Sequence, residues 1–364
     1  MRFIRLATVM GVAMLYLDPL PLQAGDGGSS VTGISRAFNP AISVNALFDG
    51  VWAGDADHHG AEDEHAEHEH GHGVGTETGL RVQEVELQLT SIVDAYFKAD
   101  LILAFPGGEG VELEEGFVTS QSLPAGLQLK VGRFYASLGR HNLLHAHQYL
   151  FLNGPLVHGH LLGDEGLVDD GVSISWLSPL PWYLEVTGQV LDGRSERFAS
   201  PDGQDLLYLG HARSFWDMGS NWTAELGASS GRGTNAAERT SSLLSANGTL
   251  QWRDLDGWGR RAIWQTEYLR ARDGTAHGDE EEGGFYSSLQ VQVARRWWLQ
   301  ARFDRMGIPG DEEDWRLSTL LGFVPSEFSS IRVQADRQET LGETSNTIML
   351  QLNVTIGSHP AHRY

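Results

Sequence analysis

The segment TIMLQLNVTI, residues 347–356, decides the fold. Ile348, Leu350, Leu352, Val354 and Ile356 fall on one side of it, and Met349, Gln351, Asn353 and Thr355 on the other. A period of two held over this length is a strand with one apolar face. The same alternation recurs upstream. Phe285, Leu289, Val291 and Val293 oppose Tyr286, Ser288, Gln290 and Gln292, while Leu184, Val186 and Val190 oppose Tyr183, Glu185, Thr187 and Gln189. Phe97, Ala99, Leu101, Leu103 and Phe105 oppose Tyr96, Lys98, Asp100 and Ala104, with Ile102 interrupting the polar side. No segment shows a comparable helical period.

Sixteen stretches read this way: 41–54, 80–91, 93–105, 111–121, 126–139, 170–177, 181–193, 205–216, 220–231, 239–253, 260–273, 283–295, 297–308, 313–324, 328–338 and 344–357. Their links alternate in length. IVDA, SLPAG, SPLPW, WDMGS, DLDGWG, ARRWW and VPSEF are short; 55–79, 140–169, 194–204, 231–238 and 273–282 are longer. Short turns on one rim and long loops on the other predict an all-β transmembrane antiparallel barrel, with the short turns in the periplasm. Trp176, Trp182, Trp216, Trp222, Trp252, Trp258, Trp297 and Trp298 flank the short turns, where an aromatic girdle would meet the membrane interface. A soluble β-sandwich would give no reason for that clustering.

A sixteen-stranded barrel encloses water. Its wall should carry the charges that lipid rejects, since Arg or Lys facing lipid near the midplane costs about 2–4 kcal/mol. The inward, pore-lining candidates are Glu84, Glu86, Lys98, Asp100, Lys130, Glu185, Glu267, Arg302, Asp304, Arg332 and Asp336.

Residues 1–24 read as a signal peptide. Arg2 and Arg5 precede the apolar stretch Leu6 to Leu17, and Leu22-Gln23-Ala24 is a plausible cleavage site. Residues 25–364 then form a single barrel in the bacterial outer membrane. The chain has no Cys, hence no disulfide and no thiolate chemistry. Its 26 Lys and Arg against 48 Asp and Glu give a formal charge of −22. That excludes a phosphate-binding face for nucleic acid and favours cations. No nucleophile elbow and no glycine loop opening a helix is present, so an enzyme is not expected and no cofactor is required.

Two histidine clusters stand out. Between Asp55 and Thr78 lie His58, His59, His65, His68, His70 and His72 with eight acids and no Lys or Arg. Imidazoles among carboxylates suit zinc and similar divalent metals. An extracellular loop of this composition is expected to capture Zn2+ loosely. The second cluster, within 140–169, holds His141, His145, His147, His158 and His160 among Leu, Phe and Tyr. This loop can pack, so it is expected to fold into the lumen and narrow it. His145, His147, His158 and His160 would then face the path as metal candidates, or fill space around docking leucines.

Several stretches resemble a family of Gram-negative outer-membrane proteins of the porin superfamily. They are NALFDGVW ahead of the His-rich loop, VQEVELQLTSIVDAYFKAD, VELEEGFVTSQSLPAGLQLKVGRFYASLGRHNLLHAHQYLFLNGPLV, GDEGLVDDGVSISWLSPLPWY and the ending MLQLNVTIGSHPAHRY. Members carry the label of zinc-regulated TonB-dependent receptors or resemble phosphate-selective porins O and P. The resemblance implies a barrel and an association with zinc. The length falls short of a 22-stranded barrel with a plug, and no ladder of basic residues suits phosphate. The expectation is therefore a porin for passive diffusion of small solutes, assembled as a homotrimer in outer-membrane lipid. The alternatives are a non-conducting barrel that supports a metal-binding or adhesion loop, and an outer-membrane hydrolase.

Overall fold

A computed structural model describes residues 40–54, 78–107, 110–201, 203, 205–255, 259–311 and 313–357. Residues 1–24, read above as a signal peptide, Trp258 and His58, His59, His65, His68, His70 and His72 lie outside the described residues. Sixteen antiparallel strands close into a barrel in which each pairs with its sequence neighbours and the last returns to the first. They are β1 (Ala41–Ala53), β2 (Gly79–Ile92), β3 (Phe97–Pro106), β4 (Glu112–Ser120), β5 (Leu127–Tyr135), β6 (Val168–Leu177), β7 (Tyr183–Leu191), β8 (Leu207–Met218), β9 (Trp222–Thr234), β10 (Thr240–Arg253), β11 (Arg261–Thr275), β12 (Gly278–Ala294), β13 (Trp297–Met306), β14 (Trp315–Ser326), β15 (Ser329–Thr340) and β16 (Glu343–Gly357). One helix, α1 (Leu156–Leu162), lies in the β5–β6 link. Among the described residues no helix is long and apolar enough to cross a membrane; the strands supply the crossing.

Closure removes sheet edges, so every strand finds backbone partners on both sides, the condition hydrocarbon imposes. β16 shows the consequence. Ile348, Leu350, Leu352 and Ile356 are exposed outward, while Met349, Gln351, Asn353 and Thr355 are buried inside. The β1–β16 seam runs in register from Ser43 opposite Gly357 to Ala53 opposite Thr347.

Two predicted loops are strand instead. β12 begins at Gly278, so the stretch read as the link 273–282 is a tight turn around Ala276 and His277. The acids of GDEEEGG suggested solvent, but Arg270 and Arg272 on β11 pair with Glu281 and Asp279 across the hairpin. The hairpin's charges thus satisfy one another. Likewise β9 and β10 extend to Thr234 and from Thr240, shortening the link read as 231–238. β5 conversely stops at Tyr135, and Trp298 faces inward at 5% exposure rather than joining the girdle.

The interior is not uniformly wet. Leu207 and Leu209 on β8, Leu243 on β10, Leu269 and Ala271 on β11 and Met306 on β13 point inward and are buried. They break the polar-inside rule because residues 136–167 fold into the barrel and cover them. Phe134, Leu138, Leu156, Val157, Leu161, Leu162 and Leu167 complete one apolar cluster with them, and α1 packs on β11, β12 and β13. Each large side chain so covered contributes roughly 1.5–3 kcal/mol. A second cluster seats Phe151 and Leu152 against Val51, Leu320 and Met349.

Candidate functional site in the barrel lumen

The inserted loop is held to the wall by polar clasps. Glu267 on β11 accepts the backbone N–H of Arg140 at 3.2 Å and of His141 at 3.1 Å, and the hydroxyl of Tyr286 at 3.0 Å. Gly139 permits this approach: its φ is +63° and a Cβ there would collide with the Glu267 carboxylate. Two strands further along the wall, on β13, Arg302 donates to Asp304 at 2.8 Å, to the carbonyl of Asn153 at 2.9 Å and to its side-chain oxygen at 2.9 Å. Asp304 accepts the N–H of Leu156 at 3.1 Å, and Asp336 accepts Asn153 Nδ2 at 2.7 Å. Arg332 donates to the carbonyl of Tyr149. Charged partners make these bonds stronger than neutral ones.

Between the loop and the β2–β5 wall lies a histidine–carboxylate cluster. His145 Nε2 sits 2.9 Å from Glu115 Oε2; its Nδ1 sits 3.0 Å from Glu114 Oε1 and 3.4 Å from Glu86 Oε2. His147 Nδ1 lies 3.0 Å from the same Glu86 oxygen, and the two imidazoles stack with centroids 5.8 Å apart. Tyr135 donates its hydroxyl to Glu114 Oε1 at 2.8 Å and its N–H to Glu115 Oε1 at 3.0 Å. Burial alone would lower the His145 pKa, but Glu114 and Glu86 outweigh it and raise it well above the ordinary value. His141 behaves oppositely: burial, with His158, Arg302 and Arg316 nearby, holds it well below that value.

A bulge builds this cluster. In the β3–β4 ladder Ile102 faces Glu115 and Leu103 faces Leu113, so Glu114 is the extra residue. Both Glu114 and Glu115 are thereby buried inside, which strict alternation forbids. A similar shift in β1–β2 turns both Gln83 and Glu84 inward. Neither Glu114 nor Glu115 was among the sequence candidates. The doublet itself was the available signal, since a carboxylate cannot stay on the lipid face.

Of the other candidates, Glu84, Glu86, Asp100, Glu267, Arg302, Asp304, Arg332 and Asp336 are buried within the barrel, and Lys98, Lys130 and Glu185 are half-buried. His145 and His147 come together. His158 does not join them: it lies 3.4 Å from Glu267 and packs against His141, while His160 is exposed. Two cavities border the inserted loop. One of about 440 Å³ toward the short-turn rim is lined by Glu86, Lys98, Asp100, Glu115, Lys130, His145 and His147. The other, about 380 Å³, is lined by Tyr135, His141, Tyr149, His158, His160, Arg316 and Asp336.

A closed sixteen-stranded barrel with an inserted loop and a charged lumen defines a porin-like protein of the bacterial outer membrane. The chain is 32% identical over 334 residues to an uncharacterised protein of Aquifex aeolicus (strain VF5), spanning 79% of this chain and 70% of that one, and it belongs to the same family. No family model matches it. Among solved structures it resembles the anion-selective porin from Comamonas acidovorans (TM-score 0.58, 10% identity, 87% of this chain and 100% of that one). It also resembles the outer membrane channel DcaP of Acinetobacter baumannii (0.55, 9%, 88% and 99%). The trimer form of OmpT of Vibrio cholerae matches similarly (0.57, 9%, 87% and 99%). At these identities the likeness is one of fold.

Proposed function

We propose that this protein is a channel for passive diffusion of small solutes across the outer membrane, narrowed by the inserted loop and favouring cations. The observation that carries the reading is the pair of cavities inside the barrel, one lined by Glu86, Glu115, His145 and His147 and the other by His141, His158, Arg316 and Asp336. A support for an external loop alone would not require charged walls on both sides of a constriction. The formal charge of −22 raises cation concentration at the mouths. An acidic constriction also speaks against the phosphate selectivity of porins O and P. The trimer form among the porin-like neighbours supports a homotrimer as the working assembly.

Purified protein in a planar bilayer is expected to give discrete conductance steps, with a reversal potential in a KCl gradient that indicates K+ preferred over Cl−. Absence of current from folded protein would favour a non-conducting support. Turnover of lipid or peptide by the same preparation would favour the hydrolase.

The second part of the reading is metal capture by the segment 55–78, supported by its six histidines and eight acids. Calorimetric titration should show most of the bound Zn2+ lost when 55–78 is deleted. Unchanged binding would remove that role.

A further inference from the structure

The cluster around His145 has a donor geometry that a simple constriction does not need. Nδ1 of His145 is buried and lies close to two carboxylates, yet it makes no aligned hydrogen bond with either. Oε1 of Glu86, a residue only 1% exposed, also has no hydrogen-bond partner among the described residues. Buried polar atoms left in that state are costly unless something supplies a partner. Both atoms belong to residues of a set, Glu86, Glu114 and His145, that can each bring one ligand atom within 4.8 Å of the others. We propose that these three residues form a site for a divalent transition-metal cation inside the lumen.

The spacing fits. A tetrahedral zinc site with bonds near 2.0–2.1 Å separates its ligand atoms by roughly 3.3 Å. The His145 Nδ1 distances of 3.0 Å and 3.4 Å bracket that value. One imidazole and two carboxylates also suit zinc and its neighbours by ligand type. Three protein ligands leave a coordination position for water or a passing solute.

The surrounding groups are arranged as supports for ligands. Glu115 Oε2, 2.9 Å from His145 Nε2, would accept its proton and so keep the lone pair on Nδ1. Glu115 is fixed in turn by the Tyr135 N–H, and Glu114 by the Tyr135 hydroxyl. His147 Nδ1, at 3.0 Å, orients Glu86. Three carboxylates gathered around one imidazole repel one another, and a dication at their centre offsets that repulsion. The loop contributes only His145 and His147 and the wall the rest, so a bound ion would also tie the loop to β2 and β4.

The site deepens the channel reading and rests on it only for the effect on current. The test uses the full chain, washed with EDTA, with Zn2+ added to a planar bilayer and Co2+ to detergent-solubilised protein. Zn2+ is expected to lower the conductance. Glu86→Gln and His145→Gln should each raise the half-blocking concentration by roughly tenfold or more and remove a tetrahedral Co2+ absorption band. His277→Gln, in the exposed turn between β11 and β12, should leave both unchanged. Residues 55–78 are common to all variants, so differences between them report the lumen site. Heat-modifiable gel mobility establishes folding, and Glu114→Gln replaces either variant that fails. Equal block and equal spectra in wild type and variants would overturn the site while leaving a conducting channel intact. Lack of any current would overturn the channel reading, and the Co2+ spectra would still decide the site.

Discussion

Glu267→Ala is expected to free the loop around residues 140–166 from the wall and raise single-channel conductance severalfold. Glu267 is buried, and its carboxylate accepts two loop N–H groups and the Tyr286 hydroxyl, with His158 Nε2 at 3.4 Å. Alanine leaves those donors facing a dry pocket. Removing one partner of such a buried charged network costs about 3–5 kcal/mol. The barrel's own backbone ladder does not pass through this carboxylate, so the loss falls on the loop's docking. Glu267→Gln keeps an acceptor oxygen and should show a smaller change. Conductance in a planar bilayer and protease cleavage within 140–166 measure the outcome together. Unchanged conductance with a protected loop would show that the apolar cluster and the clasps from β13 and β15 hold it without Glu267.

The barrel was legible in the sequence because lipid and water impose opposite demands on alternate residues. TIMLQLNVTI displays that demand directly, and the even count of stretches closes the sheet. What escaped reading were the places where strand periodicity carries a second message. Leu206-Leu207, Leu243-Leu244 and Leu320-Leu321 are apolar doublets in which Leu206, Leu244 and Leu321 are exposed and Leu207, Leu243 and Leu320 are buried inside. An inward leucine in a wet lumen announces that something covers it, and the leucine-rich link 136–167 is that cover. Glu114-Glu115 carries the converse message. Glu114 and Glu115 both turn inward only because a bulge interrupts the alternation, and that bulge assembles the His145 cluster. The histidines themselves were visible. Their partition into His145 with His147 and His141 with His158 was not, because it depends on which wall each turn of the loop meets.

Val157→Asp should eject the loop more completely than the loss of Glu267. Val157 is fully buried on α1, within the cluster that includes Leu269, Ala271 and Met306. A carboxylate there finds apolar neighbours. Burying it as a charge costs far more than the helix gains by docking, and protonating it still leaves a hydroxyl without a partner. The cheaper course is for α1 to leave the wall. Once it leaves, Leu207, Leu243 and Leu269 face water, a cost the closed backbone ladder can tolerate because hydrogen bonding between strands is untouched. The expected variant is therefore a folded barrel, still heat-modifiable on gels, with larger conductance and new cleavage between residues 140 and 166. His277→Asp, in the exposed turn between β11 and β12, supplies the control and should change neither property. If Val157→Asp instead prevents the barrel from forming, the loop is a folding partner of the wall rather than an insert docked onto it. Folded protein with unaltered current would mean that the apolar cluster does not position the constriction.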